Sequence, residues 1–236
     1  MSQWKEKDIF RLFSQYDNIL EEQYGFTAIY NFIKQHSSIK KVLDLGCGSG
    51  ELIPFLTSIA SQVVGADISE HALEYAREKH KSSGATFIYT SELPNYINNN
   101  SKFDAVISSF LLCTLNTENS IKLLLRQVND ALIEHGYYIV LNFNLNAMGV
   151  DFGTFKTGEE GKIYHDGEAL PVSMQTKSGE QFTFNDTFWS FSKLITLSEE
   201  MGFFLYQQST LTIPQFTISP FTIFVLKKKK VSLNNN

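Results

Sequence analysis

Apolar runs and amphipathic stretches alternate along the chain from about residue 40 to residue 143. The runs are short, as in buried strands, and the stretches between them repeat apolar positions at helical spacing. The predicted strands cover 40–46, 62–68, 85–90, 103–112 and 136–143, and the predicted helices 51–60, 70–81 and 117–134. Strands that alternate with helices pair in parallel and are covered on both faces, so the pattern predicts a doubly wound α/β fold.

Two helices are predicted ahead of this alternation, over 6–22 and 25–35, because apolar side chains recur there every three to four residues. The first of them is rich in aromatic residues, and one more stands just before it. These residues are Trp4, Phe10, Phe13 and Tyr16. The two helices are expected to form an N-terminal appendage to the sheet.

The pattern changes after Phe143. No helical period is found over 144–187, and two alternating segments flank Lys177-Ser178-Gly179-Glu180, which predicts a β-hairpin. A helix over 188–201 that stops at Gly202 and two strands, 203–211 and 221–229, complete the sheet. The connection between these two strands is too short for a helical crossover, so the last strand is predicted to be antiparallel to its neighbour.

These elements predict one α/β protein with a seven-stranded, mostly parallel sheet whose last strand is antiparallel. The expected segments are an N-terminal helical lid (1–38), the core (39–143), a β-hairpin insertion that caps a substrate (144–187), and the end of the core sheet with a basic tail (188–236).

Composition and charge exclude some partners. The 236 residues are 43% hydrophobic and 19% charged, which suits a globular core. A formal net charge of −5 makes nucleic acid an unlikely partner, because binding to phosphates needs a basic face. The run Lys227–Lys230 is interpreted as the solvated end of the last strand. Two cysteines, a charged N-terminal segment and the lack of an apolar run of about 18 residues predict a cytoplasmic protein without a membrane span.

A glycine-rich loop, Gly46-Cys47-Gly48-Ser49-Gly50, follows the first predicted strand. Glycine allows a positive φ and lets a ligand lie against the backbone, although glycines that only shape the turn are an alternative. A dinucleotide fingerprint would need a small residue at position 51, where Glu51 stands and would repel a pyrophosphate. The pattern G-x-x-x-x-G-K-[ST] is also not matched. A diphosphate ligand, and with it an NAD-dependent oxidoreductase, is therefore disfavoured.

With the acidic residue two positions before it, the segment Asp44-Leu45-Gly46-Cys47-Gly48-Ser49-Gly50 resembles motif I of the class I S-adenosylmethionine-dependent methyltransferases. The resemblance implies that S-adenosyl-L-methionine is the methyl donor, that S-adenosyl-L-homocysteine is the product, and that the methionine half contacts this segment. The residues implied are Asp44, Gly46, Cys47, Gly48 and Gly50. This ligand carries an ammonium and a sulfonium, so nearby carboxylates attract it.

The resemblance extends over residues 40–143. It implies that Asp67, at the end of the second strand, binds the ribose and that Ile68 packs against the adenine. Capping of the next helix is the alternative role for Asp67, but Ser69 partly fills it. The backbone after the fourth strand, at Ser108 and Ser109, is implied to contact the cofactor. Members of the family usually carry an Asp after the third strand for the adenine amino group. Here the candidates for that role are Ser91 and Glu92.

The methyl acceptor is expected to be a small molecule that is methylated on an oxygen or nitrogen atom by in-line displacement. The segment after the fourth strand lacks the [NDS]-P-P-[YF] motif of base- and glutamine-modifying relatives, and it lacks the clustered Asp and Asn ligands of metal-dependent ones, so no metal is expected. Methylation of a protein or a tRNA, and a methyltransferase-like protein that binds the cofactor without turnover, are the alternatives. The sequence leaves the acceptor's identity and the oligomeric state open.

The N-terminal lid and the insertion are expected to enclose the acceptor. Tyr16, Tyr164 and Trp189 are the candidate acceptor-binding residues, although a buried core accounts for such aromatic residues nearly as well. His165 is the candidate general base, with Asp166 beside it to orient the ring. The segment His165-Asp166-Gly167-Glu168 also suits an ordinary hairpin turn, which is the alternative reading.

Overall fold

The computed structural model describes residues 7–230 and contains one seven-stranded sheet and one three-stranded sheet. Trp4 and the end of the predicted basic tail, 231–236, lie outside the described residues. Within them, no helix is long and apolar enough to cross a membrane. The helices are α1 (Lys7–Ser14), α2 (Thr27–Gln35), α3 (Ile53–Thr57), α4 (Glu70–Lys79), α5 (Leu93–Asn99), α6 (Glu118–Ala131) and α7 (Phe191–Glu200). The strands are β1 (Lys41–Leu45), β2 (Gln62–Asp67), β3 (Thr86–Tyr89), β4 (Phe103–Ser109), β5 (Leu132–Phe143), β6 (Phe155–Thr157), β7 (Ala169–Gln175), β8 (Gln181–Thr187), β9 (Phe203–Thr210) and β10 (Phe221–Lys228).

The large sheet has the strand order β3-β2-β1-β4-β5-β10-β9. Its first five strands are parallel, whereas β10 is antiparallel to both of its neighbours and pairs Phe224 with Val140 of β5. The predicted mostly parallel sheet with an antiparallel last strand is therefore confirmed. The order in which strands are added reverses between β1 and β4. From β1 the chain continues outward to β2 and β3, and it then returns to add β4 and β5 on the other side of β1. Such a point opens a crevice at the carboxyl ends of the strands.

Alternating side chains of the central strands build a core on each face of the sheet. In β1, the fully buried Val42 and Leu43 point to opposite faces, and each belongs to a different apolar cluster. Because both faces are covered, the strands carry continuous apolar runs rather than an alternation of apolar and polar residues. Ser69 caps α4 as expected, and Gly202 follows α7 with φ +86°, which confirms the predicted end of that helix.

The predicted helix over 6–22 is wrong, because the chain leaves the helix after Ser14. Tyr16 instead forms an isolated β-bridge with Thr176, and the backbone N–H of Asp17 donates to the carbonyl of Gln175 at 3.0 Å. A helix resumes downstream and includes a π-helical segment, Glu21–Phe26, directly before α2. The hydrogen bonds that replace the helix come from a distant part of the chain, and the spacing of apolar residues within 6–22 contains no information about them.

The predicted hairpin is present as β7 and β8, and β6 extends it to an antiparallel sheet of three strands. One face of this sheet packs against α1, where the Phe13 ring lies edge-to-face with Phe182 at 5.4 Å and Phe184 at 5.1 Å between centroids. The N-terminal segment and the insertion are therefore in contact. The helix α5 was not predicted, because the segment over 91–100 is short and carries few apolar residues.

We expect Gly149→Ala to destabilise the insertion strongly. Gly149 has φ +80°, and a Cβ there would lie 2.3 Å from the backbone nitrogen of Glu160, which cannot move aside as a side chain would. The expected loss in the free energy of unfolding is about 3 kcal/mol or more, from left-handed strain and overpacking together. Gly153 is the matched control, since it has φ +85° and nothing within 4 Å of the added Cβ. Gly153→Ala should lose about 1 kcal/mol. Urea denaturation of both variants measures the difference, and equal losses would contradict the steric explanation.

Candidate active site

A cavity of about 1220 Å³ opens at the carboxyl ends of the parallel strands. Residues that directly follow four neighbouring strands line it, with Gly46 after β1, Ile68 after β2, Thr90 after β3 and Phe110 after β4. Ligands of open α/β sheets bind in this crevice, so the cavity is the candidate site. Ile68 supports this assignment, because it is a large apolar side chain left 44% exposed at the cavity wall.

The glycine loop forms one wall of the cavity. Gly46, Gly48 and Gly50 all have positive φ, at +78°, +51° and +81°. A Cβ built on Gly48 would meet nothing within 4 Å, so its backbone borders open space, whereas one on Gly46 would lie 3.0 Å from Leu111. Gly50 does not line the cavity, and its Cβ would lie 2.8 Å from the ring of His80. The first two glycines keep the cavity wall bare, and the third allows close packing behind it.

The carboxylate of Asp67 joins the two loops that form this wall. One oxygen accepts a hydrogen bond from the backbone N–H of Gly48 at 2.9 Å, and the other accepts one from the N–H of Ser69 at 2.8 Å. Burial raises the pKa of Asp67, and these N–H donors partly oppose the rise. The N–H of Ile68 also contributes, and because a carboxylate has about four lone-pair sites, the group keeps capacity for a donor from a ligand.

Asp44 lies beside Asp67 at the end of β1 and also lines the cavity. Its carboxyl group is buried, and burial together with the negative charge of Asp67 raises its pKa to about 7. No salt bridge among residues 7–230 neutralises it. The two carboxyl groups give this end of the cavity a negative potential, which suits a cationic ligand.

The other end of the cavity is aromatic. Its lining includes Phe13 and Phe26 from the N-terminal segment, Phe110 and Phe143 from the large sheet, and Phe184 from the three-stranded sheet. Phe110 has φ +53°, an uncommon conformation for a bulky residue, and its ring packs 4.8 Å from that of Phe143. Such strain concentrates at functional sites, and here it accompanies an aromatic ring on the cavity wall.

Two buried carboxyl groups interrupt this aromatic lining. Glu21 accepts a hydrogen bond from the Tyr16 hydroxyl at 2.7 Å, and burial raises the pKa of Glu21 to about 7. Asp186 lies on β8, and burial raises its pKa to about 7 as well, partly offset by the Cys113 thiol beside it. Both groups line the cavity.

Comparison with known proteins identifies one domain within the chain. A family model described as a methyltransferase domain matches residues 42–136, which include the glycine loop and Asp67. The chain carries a class I methyltransferase domain. The cofactor of this family is S-adenosylmethionine, so the resemblance drawn from motif I is confirmed.

Several methyltransferases are similar to this chain in sequence. N-demethylindolmycin N-methyltransferase of Streptomyces griseus is 21% identical over 210 residues, which cover 87% of this chain and 88% of the relative. Ubiquinone biosynthesis O-methyltransferase of Methylococcus capsulatus is 38% identical over 60 residues, and this match covers 25% of each chain. The second match is thus confined to a part of either protein.

Solved structures share the fold. A S-adenosylmethionine-dependent methyltransferase from Clostridium acetobutylicum aligns with a TM-score of 0.68 at 16% identity, covering 95% of this chain and all of the other. An amino pentose methyltransferase from Micromonospora echinaspora, solved with S-adenosylmethionine bound, aligns with a TM-score of 0.59 at 14% identity, covering 87% of this chain and 90% of that one. At these identities the alignments establish the fold.

The residues of the methyltransferase domain fit its cofactor. The ammonium and sulfonium groups suit the negative end formed by Asp44 and Asp67, and the bare backbone at Gly48 leaves room for a ligand. Ser109 adds a further donor or acceptor, since this residue lies on the cavity wall and its buried hydroxyl has no hydrogen-bond partner within 7–230. An orphaned polar group at this place is explained by a ligand.

Some residues predicted to bind the cofactor lie elsewhere in the domain. Ser108, whose backbone was predicted to contact the cofactor, does not line the cavity, whereas Ser109 does. Its side chain is fully buried and hydrogen-bonded to the Tyr138 hydroxyl at 2.8 Å. Ser91 and Glu92 are exposed, and Glu92 accepts a hydrogen bond from the N–H of Tyr89 at 2.8 Å, which caps the turn. Neither residue lines the cavity, whereas the preceding Thr90 does.

The predicted general base is corrected by the structure. His165 is exposed and does not line the cavity, and its backbone N–H donates to Glu168. The neighbouring Asp166 does not orient the imidazole, because its carboxylate accepts hydrogen bonds from the N–H and the hydroxyl of Ser190 at the start of α7. This segment is an exposed turn that leads into β7, and Ser190 itself caps α7.

Of the three predicted acceptor-binding residues, only Tyr16 lines the cavity. Tyr164 is buried elsewhere, with its hydroxyl accepting from the N–H of Glu159 at 3.0 Å. The indole N–H of Trp189 donates to the carbonyl of Leu115 at 2.7 Å. Since Leu115 is a lining residue, Trp189 supports the wall from behind without touching the cavity.

Two lining carboxyl groups were missed by reasoning from the sequence. Asp186 follows Phe182 and Phe184 at alternating positions of β8, so the alternation alone places its side chain on their buried face. That signal was available. Glu21 gave no such signal, because the break at Tyr16 and the π-helical segment change the helical phase on which its orientation depends.

Proposed function

We propose that this chain transfers the methyl group of S-adenosylmethionine to an oxygen or nitrogen atom of a small molecule. One observation carries the proposal: a single cavity joins the negative end at Asp44 and Asp67 to the aromatic end around Phe110. Its volume of about 1220 Å³ exceeds the roughly 300–1,000 Å³ of an ordinary single-ligand pocket. It therefore has room for a cofactor and an acceptor side by side.

The residues of this chain bind the methyl donor and the acceptor, orient them relative to each other and exclude water. When bound, S-adenosylmethionine supplies a methyl carbon that is already strongly electrophilic. Asp44, Asp67 and the glycine loop hold the donor, while the aromatic end positions the acceptor in line with it. Alignment of two reactants in this way accounts for up to about 7–11 kcal/mol of the activation barrier in intramolecular models.

The roof of the aromatic end favours a small acceptor over a macromolecule. Two backbone hydrogen bonds join the N-terminal segment to the hairpin, from Asp17 N–H to Gln175 at 3.0 Å and from Lys177 N–H to Gln15 at 2.9 Å. A protein side chain or a tRNA base would have to pass this roof. Support also comes from the relatives, since N-demethylindolmycin and an amino pentose, named for two of them, are small molecules.

The proposal is tested by the release of S-adenosylhomocysteine. Purified protein with S-adenosylmethionine is incubated separately with a library of low-molecular-weight metabolites, with a protein extract and with bulk tRNA. We expect product release to depend on one or more small molecules and not on the macromolecular fractions. Release only with protein or tRNA would overturn the proposal, and cofactor binding without release in any fraction would instead indicate a binding protein without turnover.

A further inference from the structure

The aromatic end of the cavity contains two carboxyl groups that the fold leaves incompletely paired. Glu21 is 3% exposed and Asp186 is 5% exposed. Oxygen Oε2 of Glu21 and oxygen Oδ1 of Asp186 are buried and have no hydrogen-bond partner among residues 7–230. Neither group forms a salt bridge within the same range. Two such groups on the wall of one cavity point to a ligand that supplies the missing hydrogen-bond donors.

The fold alone gives no reason for these carboxyl groups. Asp186 lies in a row with Phe182 and Phe184 on the buried face of β8, where an apolar side chain would pack at lower cost. Burial raises the pKa of each carboxyl group to about 7, so each is held in a medium that disfavours its charged form. A destabilising group that is retained beside a cavity indicates function.

The cations on the cavity wall do not offset these charges. Lys79, Arg126 and Lys177 line it, but all three are exposed, and Lys79 is paired with Glu51. The aromatic end therefore presents the negative charge of these carboxyl groups among apolar side chains. An amine suits this environment, because it binds as a cation and forms a cationic product. A phenol or carboxylic acid would add a negative charge beside two carboxylates.

We infer that the methyl acceptor is an amine carried on an apolar ring system, and that Glu21 and Asp186 bind its nitrogen. This inference rests on the proposed function. The rings of Phe110, Phe143 and Phe184 contact the apolar body, and an ammonium among aromatic faces is further stabilised by cation–π attraction.

The chemical step balances without any other reactant. A carboxylate takes one proton from the ammonium, which frees the lone pair of the nitrogen. This lone pair forms the new C–N bond while the C–S bond breaks, and the electrons of that bond remain on sulfur, which becomes a thioether. Glu21 is the proposed proton acceptor, and Tyr16 is a positioning residue that donates to it at 2.7 Å. Asp186 stabilises the cationic product.

The test compares three probes of the same shape that differ in one polar group: 2-(aminomethyl)naphthalene, 2-naphthalenemethanol and 2-naphthoic acid. Their dissociation constants are measured by calorimetry at pH 7.5 on the whole protein saturated with S-adenosylhomocysteine. The amine is expected to bind about tenfold more tightly than the alcohol, and the acid most weakly. Glu21→Gln and Asp186→Asn should each lose about tenfold for the amine and leave the alcohol unchanged.

Glu22→Gln is the matched control, because it removes the same charge one residue away and does not line the cavity. It should retain the preference for the amine. Equal binding of amine and alcohol, no binding of the amine, or an unchanged amine-to-alcohol ratio in both variants would overturn the inference. If wild-type protein binds S-adenosylhomocysteine normally in these experiments, the proposed function survives that outcome. If it does not bind the cofactor, both fail.

Discussion

Replacing Asp67 by alanine is expected to weaken the binding of S-adenosylmethionine by about 100-fold or more. The carboxylate holds the N–H groups of Gly48 and Ser69, one with each oxygen, so its removal takes away a ligand contact and also releases the glycine loop. Isothermal titration calorimetry of the purified variant against the cofactor measures the loss. Circular dichroism on the same sample checks that the sheet is intact.

Asp166→Ala provides the control for this variant. Asp166 also holds a backbone N–H, that of Ser190 at 2.5 Å, but it lies on an exposed turn and does not line the cavity. Its removal should lower the free energy of unfolding by about 1 kcal/mol, as the loss of a hydrogen bond does, and should leave cofactor affinity unchanged. An Asp67→Ala protein that binds the cofactor within threefold of wild type would contradict the assignment of this residue.

The cofactor-free protein is expected to be less stable at pH 8 than at pH 6. Glu21, Asp44 and Asp186 each have a native pKa of about 7, raised from ordinary values near 4 by burial. At a pH between these two pKa values the native state binds more protons than the unfolded state, so the free energy of unfolding falls as the pH rises. The expected loss between pH 6 and pH 8 is about 1.4 kcal/mol for each group, or about 4 kcal/mol together.

Urea denaturation at both pH values measures this change. Burial lowers the pKa of His80, so this residue makes the free energy of unfolding rise with pH. The wild type is therefore compared with a variant that retains His80. The triple variant with Glu21→Gln, Asp44→Asn and Asp186→Asn should be nearly independent of pH over this range and more stable than wild type at pH 8. A wild-type protein that gains stability from pH 6 to pH 8 would contradict the raised pKa values.

The large sheet and its cofactor wall were predictable because the signals for them are local. The apolar run before Gly46 and the acidic residue at the end of β2 are each encoded within a few neighbouring residues. The glycines have positive φ in the folded chain, which is the property that their presence predicted. Asp67 likewise lies at the end of its strand, because the regular geometry of a strand fixes the position of each successive residue.

The aromatic end of the cavity was predicted less well because distant segments build it. Tyr16 was placed on the face of a long helix, but a bridge to Thr176 ends that helix and turns Glu21 toward the cavity. His165 was chosen for its chemistry, whereas the fold puts it on an exposed turn. Asp186 shows the intermediate case, since its alternation with Phe184 was visible in the sequence but its place on the cavity wall depends on the packing of β8.

The sequence by itself determined the order of strands and helices, the bare loop at Gly46 and Gly48, and the carboxylate of Asp67, and hence the family and its cofactor. Only the tertiary structure decided which carboxyl groups line the aromatic end of the cavity, because Glu21 and Asp186 are 165 positions apart and meet one cavity through hydrogen bonds between the N-terminal segment and β7. Short-range patterns specify backbone conformation and burial, whereas the chemistry of a cavity depends on contacts between segments that no local pattern relates.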